Sequence, residues 1–156
     1  MIAYFGHCVH VGILRVSRPI AQYFIAYTRA KVTRIAQIIV AAGKGARIGG
    51  DIPKQYRLIG GKAVLRRTLE ATLAESRIAE TIVVVAEGDN LIDALISDLD
   101  SVRRVTGGAT RTASVKAGLR AMSDTPPDLV LIHDGARPFV SSEVIGGVIN
   151  ALAQAP

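Results

Sequence analysis

The stretch IAQIIVAAGKGARIGGDIPKQY, from Ile35 to Tyr56, decides the fold. Its first eight residues, Ile35-Ala36-Gln37-Ile38-Ile39-Val40-Ala41-Ala42, are almost continuously apolar and rich in β-branched side chains. That is the pattern of a parallel strand buried on both faces. The run stops at Gly43. Gly43-Lys44-Gly45-Ala46-Arg47 then offers two positions without Cβ, where backbone N–H groups can approach phosphate oxygens, with cations interleaved. Pro53-Lys54 follows in the same loop. The stretch predicts a strand feeding a phosphate-binding loop.

Spacing separates the kinds of phosphate loop. A dinucleotide fingerprint, G-x-G-x-x-G, opens directly into a helix, but Ile48 stands at its third glycine position and Gly49, Gly50 and Pro53 oppose a helix. A Walker A loop needs Gly-Lys followed by Ser or Thr, whereas Gly43-Lys44 precedes Gly45 and Gly61-Lys62 precedes Ala63. What remains is a long, basic, glycine-bearing loop carrying Arg47 and Lys54, with a rigid proline just before the lysine. The competing reading is a solvated glycine-rich turn with incidental cations.

With 156 residues, 49% hydrophobic and 21% charged, the chain has the composition of one globular domain. Its net charge of +6 would suggest an anionic partner, but the distribution matters more than the sum. All 13 acids lie from Asp51 onward. Residues 1–34 hold Arg15, Arg18, Arg29, Lys31 and Arg34 and no acid, which leaves 14 basic against 13 acidic residues in the body. From residue 35 onward the aromatics are Tyr56 and Phe139 alone, so the body lacks the basic face and stacking platforms of a nucleic-acid binder. Cys8 is the single cysteine, which excludes an intrachain disulfide and a cysteine-based zinc site and suits a reducing compartment. His7 and His10 have no nearby carboxylate and read as incidental.

Residues 1–34 differ from the rest. Tyr4, Phe5, Tyr23, Phe24 and Tyr27 sit there without a helical or strand period, and Arg15, Arg18, Pro19 and Gln22 break the apolar runs short of a membrane span. A basic, acid-free leader could be an organellar transit peptide or mimic a signal peptide. If translation begins near Thr33, it is an upstream extension without a selected fold, and the domain occupies 35–156.

Further along, Gly60-Gly61-Lys62 marks a turn, and Leu65, Leu69, Thr72 and Leu73 recur at helical spacing, predicting a helix over 64–74. A second buried strand is expected over 81–86. Asp89 or Asn90 would cap a helix over about 91–99. A third strand is expected over 102–106, followed by the loop Gly107-Gly108-Ala109-Thr110-Arg111 and a helix over 112–122 with Val115, Leu119 and Met122 inward. A fourth strand is expected over 129–132, ending at His133-Asp134-Gly135-Ala136-Arg137-Pro138. Ser141 or Ser142 would then cap a last helix running towards Ala153. This alternation predicts an α/β fold with a mostly parallel sheet, right-handed crossovers and ligands at the carboxyl ends of the strands. All three loops fall at that edge.

Asp134, at the end of an apolar strand, can point a hard oxygen into the loop crevice and would suit Mg²⁺; alternatively it caps its own loop or pairs with Arg137. His133 reads as a packed or hydrogen-bonded strand-end residue. Arg111 and Ser114, at a helix start, could bind a base, a ribose or a phosphate, or serve as helix caps. Arg66-Arg67 and Arg103-Arg104 read as solvated faces.

Taken in order, Ala41-Ala42-Gly43-Lys44-Gly45-Ala46-Arg47, Pro53-Lys54-Gln55-Tyr56, Gly107 to Arg111 with Ser114-Val115 and Gly118-Leu119, and His133 to Phe139 resemble the 2-C-methyl-D-erythritol 4-phosphate cytidylyltransferases. The resemblance covers about Thr33 to Pro156. It implies a Rossmann-like nucleotidyltransferase fold and the joining of CTP to methylerythritol phosphate, with release of pyrophosphate, in the non-mevalonate route to isoprenoids. It also implies Mg²⁺ as cofactor. By this resemblance Arg47 and Lys54 are catalytic, stabilising charge at the α-phosphate, and Gly43 and Gly45 hold the triphosphate. Ala41, Gly108, Ala109 and Ser114 read the cytosine, with Arg111 beside it; Ala42, Gly135 and Arg137 complete the nucleotide site, and Asp134 holds the metal.

Ile48 stands where that family usually has methionine, and Gly135 where it usually has alanine. The family's second lysine, further acceptor contacts and dimerisation arm lie beyond Pro156, so the sheet is expected to be cut short at its C-terminus. The 156-residue chain is accordingly expected to bind CTP weakly, to form no product, and to lack the arm of the family's homodimer. Two alternatives stay open, a ribitol-5-phosphate cytidylyltransferase and a catalytically silent CTP-binding fragment. A cytoplasmic location is expected, or an organellar one if 1–34 is a transit peptide; no nucleic-acid partner and no membrane span are expected.

Overall fold

The computed structural model describes residues 12–14, 34–43 and 52–153. The main sheet is built from Gly12–Leu14 (β1), Ile35–Val40 (β2), Ile78–Val85 (β5), Val102–Thr106 (β6) and Leu129–Asp134 (β7), while Leu58–Ile59 (β3) and Lys62–Ala63 (β4) form a separate hairpin. The helices are Val64–Leu73 (α1), Leu91–Ile96 (α2), Arg111–Arg120 (α3) and Ser142–Ala153 (α4). Strand order in the main sheet is β1-β7-β2-β5-β6.

The apolar run of β2 takes the central position, parallel to both neighbours, with Ile38 opposite Ile82 on β5 and Ile132 on β7. Such a strand needs cover on both faces, and it has it. Ile39, Val83 and Val85 pack with Leu65, Leu69 and Ile92 from α1 and α2. Ile35, Leu129 and Leu131 pack with Ile145 and Ile149 of α4. On the opposite face Ile38, Ile82, Val84 and Ile132 meet Val115, Leu119 and Met122, the three positions expected to face inward. The one polar residue inside β2, Gln37, is buried and donates through Nε2 to Thr81 Oγ1 at 2.9 Å and Thr72 Oγ1 at 3.1 Å. Its burial is therefore compensated.

Several boundaries differ from the sequence reading. β5 begins at Ile78, and α2 ends at Ile96. β7 continues through His133 and Asp134, because backbone pairing with Ile39 and Val40 carries on past the last apolar side chain. α3 starts at Arg111, capped by Thr110, whose Oγ1 accepts from Ala113 N at 3.1 Å. Asn90 is the N-cap residue of α2 and makes no side-chain capping bond, while Asp89 before it accepts from Leu91 N at 3.1 Å; Ser141 Oγ accepts from Val144 N at 3.3 Å. The hairpin β3–β4 turns on Gly60 and Gly61, whose φ angles of +55° and +76° favour glycine.

β1 comes from the stretch that sequence reasoning left outside the domain. It pairs antiparallel with β7, Gly12 opposite Ile132 and Leu14 opposite Val130. The edge of β7 presents unpaired backbone groups, and any extended segment can satisfy them whatever its side-chain period. At the other edge, β6 carries arginines in place of apolar side chains. Arg103 pairs with Glu80 at 2.7 Å and Arg104 with Asp93 at 2.6 Å. Arg66 likewise bridges Glu70 at 3.0 Å and Asp98 at 2.5 Å, while Arg67 donates to Ile59 O at 2.8 Å; Arg103 and Arg104 are exposed, as the sequence reading had them, and ion-paired as well.

Candidate active site

The carboxyl edge of the sheet is stitched together beyond the strand ends. Ala41 N–H donates to Val84 O at 2.7 Å, Gly135 N–H to Val40 O at 2.9 Å, and Gly107 N–H to Val85 O at 2.8 Å. The three loops therefore leave the sheet side by side. Gly107 is required by this crowding: a Cβ there would lie 2.6 Å from Ser114 Oγ, 2.9 Å from Val84 Cγ1 and 3.0 Å from Ala42 Cβ. At Gly108 a Cβ would lie 2.5 Å from that of Ala113. A Cβ at Gly135 would come within 3.0 Å of both Ala41 Cβ and Leu65 Cδ1, a tight fit that glycine avoids.

Of the two candidate catalytic cations, Arg47 lies outside the described residues, as does Gly45. Lys54 is exposed on a single 3₁₀ turn, Lys54–Tyr56. The two residues after it are buried. Gln55 reaches back to the end of β2, its Nε2 donating to Ala41 O at 2.8 Å and Gly43 O at 3.3 Å. Tyr56 packs in the core, and its hydroxyl donates to Asp89 Oδ2 at 2.6 Å. Burial and that carboxylate push the phenol far above its ordinary pKa, so it stays a donor.

Ala41 is buried at the end of β2, with Ala42 half-buried and Gly43 exposed. Gly108 and Ala109 are exposed at the opposite loop. Ser114 is buried; its Oγ accepts from Gly108 N at 3.2 Å and donates to Gly108 O at 3.3 Å. It shapes the loop on which Gly108 is displayed.

Asp134 closes the third side. Its Oδ1 is 3.1 Å from Arg111 at the start of α3, and its Oδ2 is 3.0 Å from Arg137. The sequence had set a metal-holding role against pairing with Arg137, and in the structure the pairing is present together with a second partner from another element. Among the described residues no three His, Cys, Asp or Glu side chains gather in a metal-sized cluster. A single, partly exposed carboxylate fits Mg²⁺, which keeps waters and substrate phosphate oxygens as its other ligands. It would have to win that oxygen from a guanidinium.

His133 is buried, with Nε2 3.0 Å from Arg137 O, so in the bonded tautomer this nitrogen carries the proton. Burial holds the imidazole below its ordinary pKa. An unfolded histidine titrates near about 6.5, and below that value the unfolded chain takes up a proton that the folded chain refuses. Stability should therefore fall as the pH drops from about 6.5 to the folded pKa, and be flat in this term above about 6.5. Urea melts from pH 7.5 to 5.5, in the wild type and in His133→Gln, will show the slope only in the wild type.

Sequence reasoning missed three contributors. Gln55 and Tyr56 stood in the Pro53-Lys54-Gln55-Tyr56 motif with no role of their own and are anchors. Thr68 shares the helical face of Leu65, Leu69 and Thr72, a spacing that could have flagged it; its Oγ1 donates to Gly135 O at 3.0 Å and ties α1 to the loop after β7.

A central parallel strand ending in a glycine-rich basic loop, flanked by a second glycine loop and a strand-end aspartate between arginines, is the site of a nucleotidyltransferase-type α/β domain. A solved nucleotidyl transferase from Methanothermobacter thermautotroptrophicus has the same fold, with a TM-score of 0.61 at 24% identity over 78% of this chain and 57% of that one. The 4-diphosphocytidyl-2C-methyl-D-erythritol synthase of Anaerococcus prevotii superposes with a TM-score of 0.69 at 36% identity, covering 83% of this chain and 55% of that one. The bifunctional enzyme IspD/IspF of Paramagnetospirillum magneticum is 47% identical over 120 residues, 76% of this chain and 31% of that protein. Residues 35–156 match the family model of IspD, 2-C-methyl-D-erythritol 4-phosphate cytidylyltransferase. The chain belongs to that family, and it spans about a third of the length of the bifunctional relatives it matches.

Proposed function

We propose that residues 35–156 supply the CTP site of an enzyme that joins CTP and 2-C-methyl-D-erythritol 4-phosphate, giving 4-diphosphocytidyl-2-C-methyl-D-erythritol and pyrophosphate in non-mevalonate isoprenoid biosynthesis. The observation that carries this reading is the crowding of the Lys54 turn, the Gly107-Gly108 loop and the Arg111–Asp134–Arg137 cluster around the end of β2. An oxygen of the alcohol phosphate attacks the α-phosphorus. A new P–O bond forms, the α–β bridge breaks, and pyrophosphate leaves with the bonding electron pair. Bringing these anions together is an electrostatic task that needs cations in fixed places and no protein nucleophile.

In this reading Lys54 and Arg47 face the charge that builds at the α-phosphate. Gly43 and Gly45 present amides to the triphosphate. Ala41, Ala42, Gly108, Ala109 and Ser114 form the wall against the base, with Arg111, Gly135 and Arg137 around the ribose and phosphates. Mg²⁺ held by Asp134 would neutralise charge on the phosphate oxygens. Among the described residues no helix is long and apolar enough to cross a membrane. We place the protein in the cytoplasm, with 35–156 as the nucleotidyltransferase domain and 1–34 as an extension to it.

The test is calorimetric titration of the chain with CTP, UTP, ATP and GTP in the presence of Mg²⁺, followed by pyrophosphate release from the full-length protein with methylerythritol phosphate and with ribitol 5-phosphate. CTP should bind in preference to the other nucleotides, and methylerythritol phosphate should be the acceptor. The Gly135-Ala136-Arg137-Pro138 sequence after the metal-site aspartate favours that acceptor. Equal affinity for all four nucleotides would overturn the CTP assignment, and turnover with ribitol phosphate alone would move the protein to the other acceptor.

A further inference from the structure

We propose that Gln55 is a positioning residue that fixes the candidate catalytic Lys54 against the end of β2; the proposal rests on the role given to Lys54 above. Lys54 stands on one 3₁₀ turn, held internally by Tyr56 N–H to Pro53 O at 2.9 Å and Arg57 N–H to Lys54 O at 3.3 Å. A turn that short does not define a side chain's position by itself. It needs attachment to something rigid.

Gln55 provides it. The side chain is 3% exposed, and both hydrogens of its amide are spent on the carbonyls of Ala41 and Gly43, at 2.8 and 3.3 Å. Ala41 is itself pinned to the sheet through Val84 O at 2.7 Å. The turn bearing Lys54 is thereby bonded to the two ends of the basic loop at once: to Ala41 and Gly43 where it leaves β2, and to Pro53 where it returns.

The same bonds aim a loop amide. In a trans peptide the C=O and N–H point in opposite directions, so a carbonyl of Ala41 turned to Gln55 turns the Ala42 N–H away from it. Tyr56 supplies the apolar packing of this turn, through the core and Asp89. Gln55 supplies the polar register, for which only a side chain with two donors and this reach will serve; Glu reverses the donor sense and Met offers no donor.

Because a misplacement of about 1 Å in a reacting geometry costs on the order of 100-fold, Gln55→Met should lower turnover about 10- to 100-fold in the full-length protein while changing CTP affinity far less. If Gln55 acts through Lys54, the double variant with Lys54→Ala will turn over within about twofold of Lys54→Ala alone. Amide hydrogen exchange gives a second readout independent of turnover. With two hydrogen bonds removed, exchange at Tyr56 N–H should quicken by about tenfold or more in Gln55→Met, with Ile39 and Val83 unchanged. Multiplicative losses in the double variant, normal turnover in Gln55→Met, or a uniform rise in exchange across the strands would each overturn the proposal. Should Gln55→Met fail to fold, Gln55→Asn, one methylene shorter, enters the same cycle. If the wild type binds no CTP, the cytidylyltransferase reading falls, and the exchange at Tyr56 still decides whether Gln55 holds the turn.

Discussion

Lys54→Ala lowers pyrophosphate release by about 100- to 1000-fold, near 3 kcal/mol of transition-state stabilisation, the usual effect of removing one preorganised donor. CTP affinity should change much less, because the triphosphate keeps its backbone amides while the charge at the α-phosphate grows only in the transition state. The fold should be unaffected: Lys54 is exposed, and the buried members of its turn are Gln55 and Tyr56. Lys54→Arg should recover part of the loss, since the charge is kept but its shape and reach are not. The measurements are kcat and KM for both substrates, CTP affinity by calorimetry and a thermal melt. A Lys54→Ala protein with near-normal kcat would remove this residue from the chemistry.

The same turn marks the limit of what the sequence makes legible. The glycines and cations of 43–54 point to a phosphate loop because backbone approach and charge are properties of residue types. Which polar side chain is structural depends on what the chain brings near it, and Gln55 finds its acceptors on Ala41 and Gly43, 14 and 12 residues earlier. The strands β2 and β5 are readable from apolar runs, and the three convergent loops follow from strand alternation. β7 is longer than its apolar run because pairing is a backbone matter, and this extension is what buries His133 and puts Asp134 on the sheet. The hairpin β3–β4 leaves Leu58 and Ile59 exposed, so no burial period announces it. β1 is an edge strand of three residues with no pattern of its own. The partners of Asp134 come from distances of 3 and 23 residues; the first could be guessed from the sequence, the second requires the fold.

That second partner shapes the metal prediction. Asp134→Asn should leave the fold in place, because ion pairs this exposed contribute about 0–1 kcal/mol each, with side chains of Asp134, Arg111 and Arg137 at 28%, 53% and 37% exposure. It should raise the Mg²⁺ concentration for half-maximal turnover by on the order of 10- to 100-fold, the range already seen when the hydrogen-bonded supports of a metal ligand are lost. Arg111→Gln should act in the opposite sense on the ion. With no guanidinium 3.1 Å from Oδ1, the carboxylate is open to the cation, and the gain is bounded by the ~1 kcal/mol of a half-exposed pair, about fivefold tighter Mg²⁺. Turnover in Arg111→Gln should nevertheless fall if the guanidinium moves to the nucleotide when the metal takes its place, so the two quantities separate. The Mg²⁺ dependence of CTP binding, read by calorimetry beside the turnover curve, distinguishes them. An unchanged Mg²⁺ curve in Asp134→Asn would return Asp134 to a structural role, bridging the start of α3 to the loop after β7.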